Sequence, residues 1–232
     1  MKAWAYTARG TPSQVLKLRH DLPQPQPTDL LPGQVLIKIS HVALFAPTVK
    51  LMTLLPHFNS NPWFPEHEFS GIIIASSNSN ITGQAVGTTI SSRFRPDDAV
   101  FGMLDPRAAR DFNGVLAEYV ILPEATVVRR PLNAKPEEAA GLGGSGCTAI
   151  QFLELCKLLK IERDVNGDDE KIVSTGNGKR VLITAGSSGT GVIMVQLAKV
   201  LVGKEGRVVA TCSEKNSRLV RELGADEVST RH

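Results

Sequence analysis

No cysteine occurs before Cys147, and the three present (Cys147, Cys156, Cys212) lie far apart with no CxxC pair. That spacing excludes a disulfide framework and a structural zinc site, and it fits a reducing compartment. No apolar run approaches membrane-spanning length, and Met1-Lys-Ala-Trp-Ala-Tyr6 lacks the apolar core of a signal peptide. A cytoplasmic protein with no membrane partner is therefore expected. Asn80-Ile-Thr82 fits a glycosylation acceptor, but without a secretion signal it reads as a polar loop. The formal net charge is only +3 and there is no long basic run, so nucleic acid is not an expected partner. Arg129-Arg130 is a mere pair and reads as a solvated strand end. No tyrosine follows Tyr119.

What is present is ordinary for a globular protein: 42% hydrophobic and 21% charged residues in a chain of 232, enough for one or two domains. The first 130 residues read as short strands punctuated by proline and glycine. Strands are expected over 2–7, 15–19, 34–40, 72–75, 99–102 and 115–122. Pro23 to Pro27 and Leu31-Pro-Gly33 form a stiff extended connector that prolines bar from helix, and Arg95-Pro-Asp-Asp98 is a turn. Residues 47–55 are ambiguous, compatible with a helical turn ending at Pro56. Beyond Pro131 the pattern alternates helix and strand. Pro136-Glu-Glu-Ala-Ala140 starts a helix, Cys147–Leu159 is helical, and Glu162–Gly178 is a polar loop with a weak strand at Ile172-Val173. Strands follow at 181–184, 207–213 and from 225, with helices over 192–202 and 215–223. The expected fold is an all-β domain, 1–130, followed by an α/β domain with a parallel sheet, 131–232.

The most informative stretch is Val181-Leu-Ile-Thr-Ala-Gly-Ser-Ser-Gly-Thr-Gly-Val192. A short apolar strand runs into a glycine- and serine-rich turn and then a helix, with Ile193, Leu197 and Leu201 at helical spacing. Glycines admit a close backbone approach, and the free N–H groups at the helix start favour negative charge. The stretch therefore predicts a diphosphate site at Gly186, Ser187, Ser188, Gly189, Thr190, Gly191 and Val192.

Several pieces in collinear order resemble the medium-chain dehydrogenase/reductase superfamily, in its zinc-free quinone-oxidoreductase and enoyl-reductase branch. They are Met1-Lys-Ala-Trp, Gly33-Gln-Val-Leu-Ile-Lys, Pro65-Glu-His-Glu-Phe-Ser-Gly, Asp98-Ala-Val-Phe-Gly-Met, Leu116-Ala-Glu-Tyr-Val with Pro123-Glu124, and Glu138-Ala-Ala ahead of Thr148-Ala149. The glycine turn, Thr211-Cys-Ser-Glu-Lys-Asn216 and Leu223-Gly-Ala-Asp226 complete the set. The resemblance implies a GroES-like β-domain followed by a Rossmann doubly wound sheet, and hydride transfer to a quinone, enone or enoyl substrate. An alternative is a non-catalytic nucleotide-binding or structural fragment of that fold. His67 and Glu68 survive from the metal-ligand segment of zinc-dependent relatives, but the cysteines that would complete either zinc site are absent, so no metal is expected. Where zinc-free relatives carry an Asn-Pro pair, this chain has Leu44-Phe-Ala-Pro47. Family members run on past the Gly-Ala-Asp segment, so half of the doubly wound sheet is expected to be missing. Relatives often pair as homodimers through those later strands, so a homodimer is expected only of a chain carrying them. An exposed edge is expected after the third strand. The turn at 184–191 also resembles that of the short-chain dehydrogenases, but their Tyr-x-x-x-Lys pair has no counterpart downstream.

In a Rossmann unit the residue ending the second strand meets the adenosine ribose, and an acidic residue there selects NAD. Ser213 takes that position, with Lys215, Asn216 and Arg218 beyond it, which favours NADPH. Glu214 is a competing ribose ligand if the strand ends later, and a solvated helix face is the other reading of Lys215 and Arg218. Thr148 matches a family threonine near the nicotinamide ribose or is simply a helix N-terminal residue. Tyr119, His57 and His67 are the proton-donor candidates, none of them assigned. A small-molecule substrate is the expected partner.

Overall fold

The computed structural model describes residues 1–55, 62–77, 92–104, 114–163 and 170–231. Pro56, His57 and the Asn80–Thr82 acceptor lie outside them. The chain divides by packing into two compact units, Met1–Gly144 and Ser145–His232. The division by residue character falls earlier, near Pro131, because the short helix α3 (Pro136–Ala139) packs on strands of the first unit.

The first unit is built on β-structure. Strands β1 (Ala3–Ala5) and β2 (Lys17–Arg19) pair antiparallel, separated by the single-turn helix α1 (Pro12–Val15). The proline-rich connector is not wholly extended: Pro27–Asp29 forms a 3-10 turn, which a proline at the first position allows because its missing N–H has no partner to lose there. A five-stranded antiparallel sheet follows in the order β6 (Tyr119–Pro123), β3 (Gln34–Ala43), β4 (Glu68–Ser76), β5 (Ala99–Met103), β7 (Val127–Arg129). Its packed face carries Val35, Ile37, Phe69, Ile73, Val100, Leu122 and Val127, one contiguous core. The 72–75 run is not buried on both sides. Ile73 is fully buried while Ile72 and Ile74 are exposed, the alternation of a one-faced antiparallel sheet. The ambiguous segment is a true helix, α2 (Ala46–Leu54), burying Thr48 and Met52. Arg129 is more than a solvated strand end. Its guanidinium pairs with Asp98 at 3.0 Å and sits 5.4 Å from the centre of the Phe94 ring.

In the second unit, α4 (Gly143–Leu155) begins four residues before the expected start and ends four before the expected end. The polar stretch read as a loop contains an antiparallel pair, β8 (Leu159–Arg163) and β9 (Glu170–Ser174). Leu158 and Leu159 leave the helix to join the second core. A three-stranded parallel sheet then runs β10 (Arg180–Ile183), β11 (Arg207–Ser213), β12 (Glu227–Arg231), in that spatial order. Its crossovers are α5 (Gly189–Val202) and α6 (Ser217–Glu222). The buried stripe of α5 is Gly191, Val195, Ala198, Leu201 and Val202, with Leu197 against it and Ile193 outside that core. Both outer strands are paired on one side only among the described residues. The open edge therefore lies at β10 as well as at β12, and Leu182 of β10 is 64% exposed.

Candidate nucleotide-binding site

The turn between β10 and α5 is held from below by one residue of the neighbouring strand. Thr211 accepts from the Ala185 N–H through its hydroxyl (3.2 Å) and from the Gly186 N–H through its carbonyl (2.8 Å). The chain reverses sharply there, with Ala185 at φ +54, in the left-handed region where a side chain costs energy. Two glycines sit where space is short, Gly191 far more severely than Gly186. A Cβ on Gly191 would stand 2.2 Å from the Ala185 carbonyl oxygen. One on Gly186 would stand 3.0 Å from the Ala210 Cβ. Gly189 is freer, its Cβ meeting only the Ser145 hydroxyl at 3.5 Å.

Ser188 caps α5: its hydroxyl accepts from the Gly191 N–H at 3.1 Å, and its carbonyl accepts from Val192 N–H at 2.9 Å. The amides of Gly189 and Thr190, at the head of a fourteen-residue helix, have no acceptor among the described backbone groups. These free donors and the positive end of the helix dipole favour an anion without any cationic side chain.

On the other side of the turn stands the end of β11. The strand stops at Ser213, and Glu214–Asn216 form a 3-10 turn ahead of α6, so Glu214 falls outside the strand. Asn216 links the two sides. Its side-chain amide donates to Ser187 Oγ at 3.0 Å and to Ser213 Oγ at 3.2 Å. Lys215 is exposed on the 3-10 turn. Arg218 is engaged elsewhere, in an exposed ion pair with Glu222 at 2.8 Å. Thr148 lies in the second turn of α4, part-buried, and Ser145, one turn earlier, borders Gly189. The structure thus gathers Gly186 to Val192, Ser213 and Asn216 into one constellation, with Lys215 at its rim. Sequence reasoning missed Thr211 and Ser145. A hydroxyl two residues before the strand end was a legible signal for Thr211. Ser145 had none.

In the first unit, Glu68 opens β4, and a Cβ on Gly144 would stand 2.7 Å from its Oε1. His67 is half-buried with Nδ1 shielded and without a hydrogen-bond partner, and burial lowers its pKa, which favours the neutral ring. It borders a cavity of about 30 Å³ with Tyr6, Thr48, Phe64 and Gly114. Burial also pushes the Tyr6 phenol up to about 12. Glu66 is buried with its backbone at φ +68, and its carboxylate accepts from Phe45 N–H (2.9 Å) and Thr48 Oγ1 (3.2 Å). Tyr119 is part-buried on β6, opposite Lys38. Among the described residues no group of three histidine, cysteine or acidic side chains stands together as a metal site. Nor is any helix long and apolar enough to cross a membrane.

Residues 31–132 match the alcohol dehydrogenase GroES-like domain. The chain is 31% identical to a trans-enoyl reductase of Penicillium oxalicum over 98% of its own length and 60% of that protein. Among solved structures, the quinone oxidoreductase of Coxiella burnetii superposes with a TM-score of 0.71. It has 25% identity, over 99% of this chain and 62% of that one. Mycobacterial Rv1454c complexed with NADPH gives 0.68, also at 25% identity, over 100% of this chain and 59% of that one. The chain therefore spans about 60% of the length of the curated relative it matches.

Proposed function

Because the chain belongs to the medium-chain dehydrogenase/reductase superfamily, with quinone oxidoreductases and trans-enoyl reductases among its homologues, we propose that it serves an NADPH-dependent reductase of quinone, enone or enoyl substrates. The observation that carries this reading is the β10–α5 turn, with its capped helix start and close-packed glycines, facing a strand that ends in a hydroxyl rather than a carboxylate. The residues present fit a dinucleotide. Gly191 leaves room for backbone where a side chain would not fit, the amides of Gly189 and Thr190 suit a diphosphate, and Ser213 with Lys215 suits a 2′-phosphate. A nicotinamide cofactor held there supplies the hydride, and the protein's part is to orient the reacting carbons and exclude water. No proton donor is assigned. A metal-free site is favoured by the lack of any cysteine before Cys147.

The test is titration of the purified chain with NADPH and NADH. NADPH should bind tighter, and Ser213→Asp should weaken NADPH by about tenfold or more while sparing NADH, as a charge-assisted contact is replaced by repulsion. Equal or tighter NADH binding by the parent protein would sink the cofactor assignment. Adding a quinone such as phenanthrenequinone then tests turnover. Binding without oxidation of NADPH would favour a non-catalytic nucleotide-binding role.

A further inference from the structure

The geometry points to Asn216 as the residue that fixes the direction of two serine hydroxyls, and thereby the preference for a 2′-phosphate; this rests on the NADPH reading above. A serine hydroxyl can donate one hydrogen bond and accept others, so its behaviour toward a ligand depends on what its neighbours occupy. Asn216 Nδ2 donates to Ser187 Oγ at 3.0 Å and to Ser213 Oγ at 3.2 Å, using both of its hydrogens. Each serine therefore receives a bond at its oxygen and is left with its own O–H to donate. A phosphate offers only acceptors at neutral pH, so two oriented donors suit it well. A ribose 2′-hydroxyl both donates and accepts and gains less.

The two serines occupy different places. Ser187 belongs to the turn that precedes α5, and Ser213 ends β11. One amide thus sets a donor on the diphosphate side and another on the ribose side. It also ties the two segments together at a point where the Thr211 bonds do not reach. Neighbouring charges do not perform this task. Arg218 is occupied by Glu222, and Lys215 carries charge but contacts neither serine among the bonds described. Asn216 is accordingly a positioning residue. It acts on the ligand through Ser187 and Ser213.

Asn216→Asp separates this role from simple tethering. A carboxylate accepts from both serines, so the tether survives while both O–H groups turn inward, away from the ligand. Isothermal titration with NADPH and NADH, on the parent chain, Asn216→Asp and Ser213→Ala, reads the outcome, with circular dichroism confirming the fold of each. Asn216→Asp should cut the ratio of NADPH to NADH affinity by about tenfold, as a hydrogen bond to a charged group is lost. Ser213→Ala should lower the same ratio without the added charge, and therefore by less. If the parent prefers NADPH and Asn216→Asp keeps that preference, the positioning role is overturned while the cofactor assignment stands. If the parent shows no preference, both fall. A change in melting temperature with an unchanged affinity ratio would make Asn216 a structural tether only, which also overturns the inference.

Discussion

The two units handle buried polarity in opposite ways. The buried polar and charged side chains among the described residues, Thr48, Glu66, Glu68 and Ser70, all lie in the first unit. The core of the second is purely apolar, from Leu153 through Val195 and Val208 to Ala225, and its polar groups gather at the rim of the turn. A buried carboxylate in the first unit pins backbone. Glu66 meets the Phe45 amide and the Thr48 hydroxyl at the start of α2, 21 and 18 residues upstream, at the cost of a left-handed φ. The second unit fixes its own left-handed residue, Ala185, with neutral groups from Thr211. The difference is consequential for charge. An acid-pinned turn would repel a phosphate, whereas a turn pinned by a hydroxyl and a carbonyl leaves the helix dipole unopposed.

The sharpest way to break this comparison is Gly191→Ala. The added methyl would sit 2.2 Å from a backbone oxygen that cannot move without moving the turn. Denaturant unfolding should show a loss of about 1–3 kcal/mol, and nucleotide titration a loss of binding. Gly189→Ala, with only an ordinary contact at 3.5 Å, should stay within about 1 kcal/mol of the parent and keep binding. Equal damage from both would show that the turn is not held as described.

Next in size are changes at Glu66. Glu66→Ala loses both hydrogen bonds and keeps the strained φ, so a cost of about 2 kcal/mol is expected. Glu66→Gly should be milder than Ala, because glycine relieves the left-handed backbone. The acid–base behaviour has a definite sign. Desolvation raises the Glu66 carboxyl above its ordinary range, so the native state holds this proton more tightly than the unfolded chain does. Its contribution is present below the unfolded pKa and fades as pH rises through the native one. Glu66→Gln, which keeps an acceptor and cannot ionise, should flatten stability across that window without lowering it at neutral pH.

The smallest effect is expected at Asp226, where Lys199 at 2.6 Å and the Val208 amide at 2.8 Å hold the carboxyl below its usual range. Stability from a depressed carboxyl is present above the unfolded pKa and lost as pH falls through the native one. Asp226→Asn should therefore cost up to about 1 kcal/mol at neutral pH, a modest figure because the pair is partly exposed, and nearly nothing in strong acid. Urea midpoints at neutral and acid pH check both limits. Loss of stability at Asp226 with nucleotide affinity intact would sharpen the division between pinning and binding groups.

Local patterns were readable from sequence, and distant demands were not. The strand–turn–helix of 180–202 and the end of β11 at Ser213 follow from short-range periodicity and glycine spacing. The start of α4 does not, because Gly143 and Gly144 are poor helix formers. They are set by packing instead, since a Cβ on Gly143 would stand 2.8 Å from the Gly102 carbonyl and one on Gly144 would crowd Glu68. The β8–β9 pair was hidden in the same way. Its strands are rich in Lys and Glu, and only their register against each other, Leu159 opposite Ser174, makes them a sheet. At the candidate site the glycines and Ser213 were legible. The clasp through Asn216 is a side-chain contact across elements, for which one sequence carries no mark.

Thr211 has one more consequence. It anchors the turn, and two residues later on the same face the same strand ends in Ser213, so the span between the anchor and Ser213 is two strand steps, about 7 Å. That span is measured out by extended backbone already paired to β12, not by a pliable loop. The strand thereby sets the distance between the anchored turn and the Ser213 hydroxyl as a rigid element, so the two move as one.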